Sequence, residues 1–124
     1  MSASAMPTIA EVHSKAKQAV AVVSKCGACG RVCGVPSPRC PFCGSAETEI
    51  EEETAAGRLL SHTVIYVAGG AFTMYVPYAY VLVELDSGAR VSGWVLGEEI
   101  EHLKPDGRLR AVPHDGQGLQ FVHT

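Results

Sequence analysis

Aromatic residues, long apolar runs and an excess of positive charge are all scarce or missing in this sequence. Aromatics make up 6%, and 10 Lys and Arg stand against 13 Asp and Glu, for a formal net charge of −3. This balance argues against a generic basic nucleic-acid binder. No apolar run has the length of a membrane span, and the N-terminus lacks the basic and apolar regions of a signal peptide. We therefore expect a protein of the reducing cytoplasm with no membrane segment.

The residues that are present indicate a small globular protein with an uneven charge distribution. The chain has 124 residues, of which 47% are hydrophobic, so we expect one domain or a small domain with an attached module. Residues 1–45 carry five basic residues and one acidic residue, whereas residues 46–124 carry five basic and twelve acidic residues. The patterns divide the chain into an N-terminal helix and flexible tail (1–24), a metal-binding ribbon (25–46) and a barrel (47–124).

Residues 7–24 have the pattern of an amphipathic helix. Thr8 and Glu11 have the T-x-x-E spacing of a capping box. The apolar residues that follow recur at helical spacing and form one stripe: Ile9, Val12, Ala16, Ala19, Val20 and Val23. The helix packs either on its own domain or on a partner, since an isolated helix of this length is marginal in water.

The strongest signal is a pair of cysteine motifs, Cys26-Gly-Ala-Cys29-Gly and Cys40-Pro-Phe-Cys43-Gly, whose cysteine pairs are separated by ten residues. Two cysteines at this spacing can bind one metal ion, and the following glycine permits the tight turn that points backbone amides at the sulfurs. Four thiolates suit tetrahedral zinc, or iron, and leave no coordination position open for water. We therefore predict one structural zinc ion rather than a catalytic one.

Other residues near these motifs allow more than one interpretation. Cys33 could replace Cys26 in the ligand set, but the C-G-x-C-G pattern favours Cys26, and Cys33 is otherwise a small buried apolar residue. Lys25, Arg31 and Arg39 flank the ligands. These cations either balance the negative charge of a zinc–tetrathiolate centre or bind the phosphates of an anionic ligand.

From residue 47 onward the pattern is that of strands. A strand over 47–54 leads out of the ribbon, and five more strands are predicted over 57–67, 78–85, 89–96, 108–112 and 119–123. A short helical turn over 98–103 lies between the third and fourth of these five strands. This order matches an OB-fold. The predicted fold class is mainly β, with an N-terminal helix, a rubredoxin-like zinc ribbon and a five-stranded OB-fold barrel.

The loop before the second barrel strand is unusually apolar. It begins with Gly69-Gly70, and its large side chains would form an exposed patch if nothing covered them: Phe72, Met74, Tyr75, Val76 and Tyr78. The loop either folds over the mouth of the barrel or contacts a partner or ligand. Trp94 is expected in the core or at the barrel rim rather than as a stacking platform.

The combination of these segments resembles one known family. The cysteine motifs, the strand G-R-L-L-S-H-T-V-I-Y that begins at Gly57 and the segment P-Y-A-Y-V-L-V-E-L-D-S-G-A-R that begins at Pro77 are similar to the zinc-ribbon plus OB-fold family of acyl-CoA-associated proteins, long catalogued as a domain of unknown function. The resemblance covers about residues 24–123. Its most specific motif in the ribbon is Arg39-Cys40-Pro41-Phe42-Cys43-Gly44.

This resemblance implies an accessory role. Members of the family accompany thiolases, thiolase-like aldolases and ketoacyl-CoA enzymes as small non-catalytic subunits that dock on the thiolase-fold subunit and help to enclose the CoA or pantetheine arm. Only Cys26, Cys29, Cys40 and Cys43 carry over residue by residue, as metal ligands. The resemblance therefore implies a hetero-oligomer with acyl-CoA at the shared interface, where Lys25, Arg31 and Arg39 could pair with CoA phosphates and the apolar loop and N-terminal helix could contact the partner.

Two other functions are weighed against this one. A single-stranded nucleic-acid binder could combine a zinc ribbon with an OB-fold, but it needs a positive groove with interleaved aromatics, and the barrel segment is acidic. We keep it as the alternative, although nucleic acid is not the expected partner. A free-standing enzyme would need a nucleophile–base pair, a carboxylate pair or a phosphate loop, and no such pattern is visible in the sequence.

Overall fold

A computed structural model describes residues 8–67, 69–70, 76–114 and 118–124. Its elements follow in this order: α1 (Ile9–Lys17), β1 (Val20–Cys26), β2 (Val32–Cys33), β3 (Thr48–Thr54), β4 (Ala56–Ile65), β5 (Tyr78–Leu85), β6 (Arg90–Leu96), a 3-10 helix (Gly97–His102), β7 (Arg108–Val112) and β8 (Gln120–His123).

Helix α1 begins at the predicted capping box. The Glu11 amide donates to Thr8 Oγ1 at 3.1 Å, and the Thr8 amide donates to Glu11 Oε1 at 3.2 Å. These two hydrogen bonds satisfy amides that the first turn of a helix leaves unpaired. Lys15 and Lys17 lie in the last turn, where the helix dipole favours positive charge.

The helix is shorter than the predicted 7–24, and residues 20–24 belong to a strand instead. Ala19 has a φ of +66°, in the left-handed region that ends a helix. The next apolar residues, Val20, Val22 and Val23, are β-branched and pair with β3 in strand β1. Helical spacing was therefore a wrong guide for these residues, because pairing with a distant strand decided their conformation.

Strand β1 is the centre of a three-stranded antiparallel sheet with the order β2-β1-β3. It pairs with β3 along its whole length, from Val20 opposite Thr54 to Cys26 opposite Thr48. We call residues 20–54, which contain this sheet and the cysteine motifs, the ribbon. The sheet contains residues from both sides of the predicted boundaries after 24 and 46. The hydrogen bonding therefore does not follow the division into 1–24, 25–46 and 47–124, which stays a prediction about domains.

Strands β4 to β8, which we call the barrel, close in the order β4-β5-β6-β8-β7. The pairs are antiparallel except for β6 and β8, which are parallel and meet where Trp94 lies opposite Gln120. The 3-10 helix lies between the third and fourth barrel strands. The predicted mainly β fold, with an N-terminal helix and a five-stranded barrel, is confirmed.

The barrel is filled by alternating side chains of its strands. Phe121, Val81, Val83 and Val95 are completely buried. Ala55, between β3 and β4, is also completely buried; its amide donates to the Ala19 carbonyl at 3.2 Å, and its carbonyl accepts from the Ala111 amide at 2.8 Å. These bonds hold the residue that joins β3 to β4 against the residue before β1 and against β7. No helix in the described part of the chain is long and apolar enough to cross a membrane.

Candidate metal centre

The two cysteine motifs come together at one end of the ribbon. The sulfurs of Cys26, Cys29, Cys40 and Cys43 all lie within 4.8 Å of one another. The Cys26 and Cys43 sulfurs are 3.6 Å apart, as are those of Cys29 and Cys40. Four sulfurs placed tetrahedrally about 2.3 Å from a zinc ion would be about 3.8 Å apart. The spacing is therefore compatible with a structural metal site.

The first cysteine motif, residues 26–30, forms a tight turn that we call the first knuckle. Its Cys26 sulfur accepts hydrogen bonds from backbone amides. The amides of Ala28 and Cys29 each donate to Cys26 Sγ at 3.3 Å. The Gly30 amide closes the turn on the Cys26 carbonyl at 3.0 Å, and its φ of +78° requires the conformational freedom of glycine. The glycine after the cysteine pair thus has the role that the motif predicts.

The second cysteine motif, residues 40–44, forms a second knuckle with the same geometry. The Phe42 amide donates to Cys40 Sγ at 3.4 Å, and the Gly44 amide donates to the Cys40 carbonyl at 2.9 Å. Arg39 adds a further support, since its Nη1 donates to the Gly44 carbonyl at 2.9 Å. Cys26 and Cys40, the first cysteine of each pair, are buried, whereas the second cysteines, Cys29 and Cys43, are exposed.

The contacts at the sulfurs move their pKa values in opposite directions. The backbone hydrogen bond from Cys29 is the main reason that the pKa of Cys26 falls to about 6. Burial raises the pKa of Cys40, but backbone hydrogen bonds, the strongest from Cys43, outweigh it and lower this pKa. At Cys43 a hydrogen bond from Ser45 lowers the pKa, but the neighbouring sulfurs and burial raise it to about 12. The backbone hydrogen bonds at Cys26 and Cys40 favour the thiolate form that a metal ligand needs.

Other predicted residues lie near this centre but are not part of it. Cys33 lies on β2 and is half-buried, outside the group of four sulfurs. Lys25 is exposed on β1, where it pairs with Val32 and Glu49.

The two arginines of this group support the knuckles. The Arg31 guanidinium lies 4.9 Å from the centre of the Phe42 ring, in a cation–π contact, and Arg39 holds the second knuckle as described above. The sequence pattern did not indicate these contacts. Each joins an arginine side chain to a turn around the cysteines, and the path of that turn is known only from the structure.

The predicted apolar loop is described only at its end. Phe72, Met74 and Tyr75 lie outside the described residues. Val76 and Tyr78 are half-buried, and the Tyr78 ring contacts the Trp94 ring edge-on at a centroid distance of 6.2 Å. Trp94 is 3% exposed, in agreement with the predicted place in the core or at the barrel rim.

Two exposed residues beside this loop were not singled out from the sequence. Tyr66 is 72% exposed and Val67 is 89% exposed, directly after the end of β4. Both residues lie within the strand predicted over 57–67, because a run of β-branched residues does not show where strand pairing stops.

Comparison with known proteins gives a consistent relationship. The family model described as "ChsH2, C-terminal OB-fold domain" matches residues 53–114. A DUF35 domain-containing scaffold protein of Methanocaldococcus jannaschii is 32% identical over 98 residues, which cover 74% of this chain and 69% of that protein. A second one, from Methanothermobacter thermautotrophicus, is 32% identical over 104 residues, which cover 76% of this chain and 74% of that protein.

Two further similarities are to a segment of a longer protein and to a solved structure. A probable enoyl-CoA hydratase alpha subunit of Thermomonospora curvata is 38% identical over 77 residues, and the match spans only 24% of that longer protein. A solved structure named Ltp2-ChsH2(DUF35) aldolase has a TM-score of 0.70 at 24% identity and covers 99% of this chain and 98% of the other. At this identity the structural likeness supports the fold alone.

Proposed function

This chain belongs to the DUF35 family, and we propose that it is a non-catalytic scaffold subunit of a thiolase-type complex that acts on CoA thioesters. Two kinds of name support this proposal. The relatives from two archaea are called scaffold proteins, and the structural neighbour is named as an aldolase in which Ltp2 is combined with a ChsH2(DUF35) chain. The partner would be a thiolase or a thiolase-like aldolase, and it would supply the nucleophile and the acid–base groups.

The observation that carries the proposal is the arrangement of the four cysteine sulfurs. They lie within 4.8 Å of one another, so one ion held by all four would have its tetrahedral coordination filled by protein. A catalytic zinc keeps one position for water or substrate, whereas a filled site is structural. We therefore propose one zinc ion that holds the ribbon in shape and takes no part in a reaction. The cytoplasm, where thiols stay reduced, is the expected compartment.

The contribution of such a subunit to catalysis would be positional. By covering part of the partner's active site, it would hold the CoA thioester in one orientation and exclude water from it. Lys25, Arg31 and Arg39 are our candidates for contacts with CoA phosphates, because charge-assisted hydrogen bonds to phosphate are strong. Arg39 already donates one hydrogen bond to Gly44, so Lys25 is the cation whose substitution would disturb the knuckles least.

The apolar loop is our first candidate for a partner contact. Its predicted contact residues are Phe72, Met74, Tyr75, Val76 and Tyr78. The exposure of Tyr66 and Val67 at the same end of the barrel supports this proposal, because exposed apolar side chains that are grouped together mark interaction surfaces.

Co-expression tests the proposed function. The chain is produced together with the thiolase-like protein encoded beside it, and the two are followed by size-exclusion chromatography and by a C–C bond-cleavage or condensation assay with acyl-CoA. We expect one hetero-oligomeric peak, activity that needs both chains, and one zinc per copy of this chain by elemental analysis.

Two results would contradict the proposal. One is separate elution of the two proteins with activity that does not depend on this chain. The other is turnover of a CoA thioester by this chain alone. A labelled single-stranded oligonucleotide serves as the control for the alternative function, and we expect no salt-dependent binding to it.

A further inference from the structure

A groove lies where the ribbon meets the barrel, and the metal centre does not use it. Its volume is about 710 Å³. The ribbon contributes Arg31, Val35 and Phe42 to its wall, and the hairpin between β5 and β6 contributes Glu84 and Arg90. The groove therefore combines two segments that are distant in sequence, and its shape depends on how the ribbon is set against the barrel.

The ribbon is held against the barrel by a close backbone contact. A Cβ atom at Gly34 would lie 1.9 Å from the Arg90 carbonyl oxygen, so only glycine allows these two backbone segments to approach this closely. Within the ribbon, Ser24 Oγ donates to the Val35 carbonyl at 3.2 Å, which fixes the segment that carries Val35. These contacts form the groove before anything binds, which lowers the entropy lost on association.

The apolar part of the groove is too open for a small molecule. Among the described residues five large hydrophobic side chains are exposed, and two of them, Val35 at 66% and Phe42 at 53%, line this groove. Small-molecule sites enclose most of the ligand surface, which side chains this exposed cannot do. A phenylalanine beside arginines in an open groove is instead the composition of a protein–protein contact.

The charge of the groove indicates what the partner presents. Glu84 is engaged by Arg58 at 2.9 Å and by Arg90 at 3.6 Å. Arg31 adds a cation that its contact with Phe42 keeps in place. The groove therefore has a basic end at Arg31, whereas its β5–β6 end carries Glu84 and lies beside Glu53 of β3, which accepts a hydrogen bond from the groove residue Ser87 at 2.5 Å. A carboxylate on a partner segment is attracted to Arg31 and repelled from the acidic end of the groove.

We propose that this groove is the docking surface for the catalytic partner subunit and that it binds a segment in which a carboxylate is flanked by apolar side chains. The carboxylate pairs with Arg31, and the apolar side chains cover Val35 and Phe42. This inference rests on the proposed function, because it needs the partner to exist. If the groove is the docking surface, Arg31 pairs with the partner, and Lys25 and Arg39 remain the candidates for CoA phosphates.

The test measures the affinity of the full chain for the thiolase-like protein encoded beside it, by isothermal titration calorimetry. For both Arg31→Glu and Val35→Asp, we expect the Kd to rise by about tenfold or more. Thermal unfolding of each isolated variant checks that the fold is intact. The matched control is Arg110→Glu, which reverses an exposed charge on β7 outside the groove and should leave the Kd within about twofold.

A second comparison separates the two candidate surfaces. Val67→Asp places the same new charge at the loop end of the barrel, and we expect it to weaken binding less than Val35→Asp. The groove proposal is wrong if its folded variants bind like the wild type, or if Val67→Asp alone releases the partner. The groove proposal is also wrong if the groove variants lose affinity for CoA in the complex while their affinity for the partner is unchanged. A wild-type chain that does not bind the partner contradicts the proposed function itself, and the docking proposal with it.

Discussion

The ribbon and the barrel are two parts of one chain that are stabilised in different ways. In the ribbon, β1 has a run of buried residues, whereas the residues of β2 and β3 are half-buried or exposed. In the barrel, alternating residues of all five strands meet in one core that includes Phe121, Leu109 and Val95, and Ala21 and Val23 of β1 belong to the same core. We therefore expect the cysteine end of the ribbon to depend on its metal centre, whereas the barrel and the β1 residues that pack on it depend on apolar packing.

Removing a metal ligand should have the largest effect, and this effect should be strongest in the ribbon. For Cys40→Ser, we expect loss of the bound zinc and of amide protection in β1 to β3, because structural zinc sites in small peptides contribute on the order of 10–16 kcal/mol of apparent binding free energy. Elemental analysis and hydrogen exchange measure both effects. Cys33→Ser is the control, since it removes a thiol outside the cluster. If amide protection in the barrel is lost as well, the two regions are not independent.

Removing the largest side chain of the barrel core should have the reverse effect. Phe121 is completely buried, so we expect Phe121→Ala to lower the free energy of unfolding by about 3–5 kcal/mol, measured by chemical denaturation. The zinc content of the folded protein should not change. Val122→Ala, at a half-buried neighbour, is the control and should cost well under half as much. Equal losses for the two variants would argue against a tightly packed core.

A glycine in the barrel tests how closely the core is packed. A Cβ atom at Gly93 would lie 2.5 Å from the Phe121 ring and 2.6 Å from the Leu119 carbonyl oxygen. We expect Gly93→Ala to lower the free energy of unfolding by about 1–3 kcal/mol. At Gly69, where nothing lies within 4 Å of the added atom, Gly69→Ala should change it by less than about 0.5 kcal/mol. A neutral Gly93→Ala would show that the strands can move apart.

The smallest expected effect is an acid-dependent one on the barrel surface. Arg108 hydrogen-bonds Asp86 and lowers its pKa, so the pair stabilises the fold above the unfolded-state pKa of about 3.9, and this contribution is lost as the pH falls through the lower folded-state value. Both side chains are more than half exposed, so the contribution is small.

Asp86→Asn should therefore lower the midpoint of thermal unfolding slightly at pH 7 and not at pH 2. Glu101→Gln, which neutralises an exposed carboxylate on the 3-10 helix, is the control. A difference between wild type and Asp86→Asn that persists unchanged at pH 2 would show that charge is not its cause.

The comparison of the two regions also explains which features could be predicted. The cysteine spacing and the following glycines are local, so the knuckle turns at Gly30 and Gly44 were predictable from a few residues. The barrel strands were predictable because β-branched runs alternate with turn segments such as Asp86-Ser87-Gly88. The end of α1 was not, because its apolar stripe continues into β1, and only pairing with β3 separates the two.

By itself, the sequence determined the four cysteines that meet, the order of the barrel strands and the capped start of α1. Each of these depends on chemistry within a few residues or on repeated turn signals. Only the tertiary structure decided the conformation of residues 20–24 and the groove that joins Val35 and Phe42 to Arg90. These depend on which distant backbones approach, as Gly34 approaches Arg90, and no local pattern contains that information.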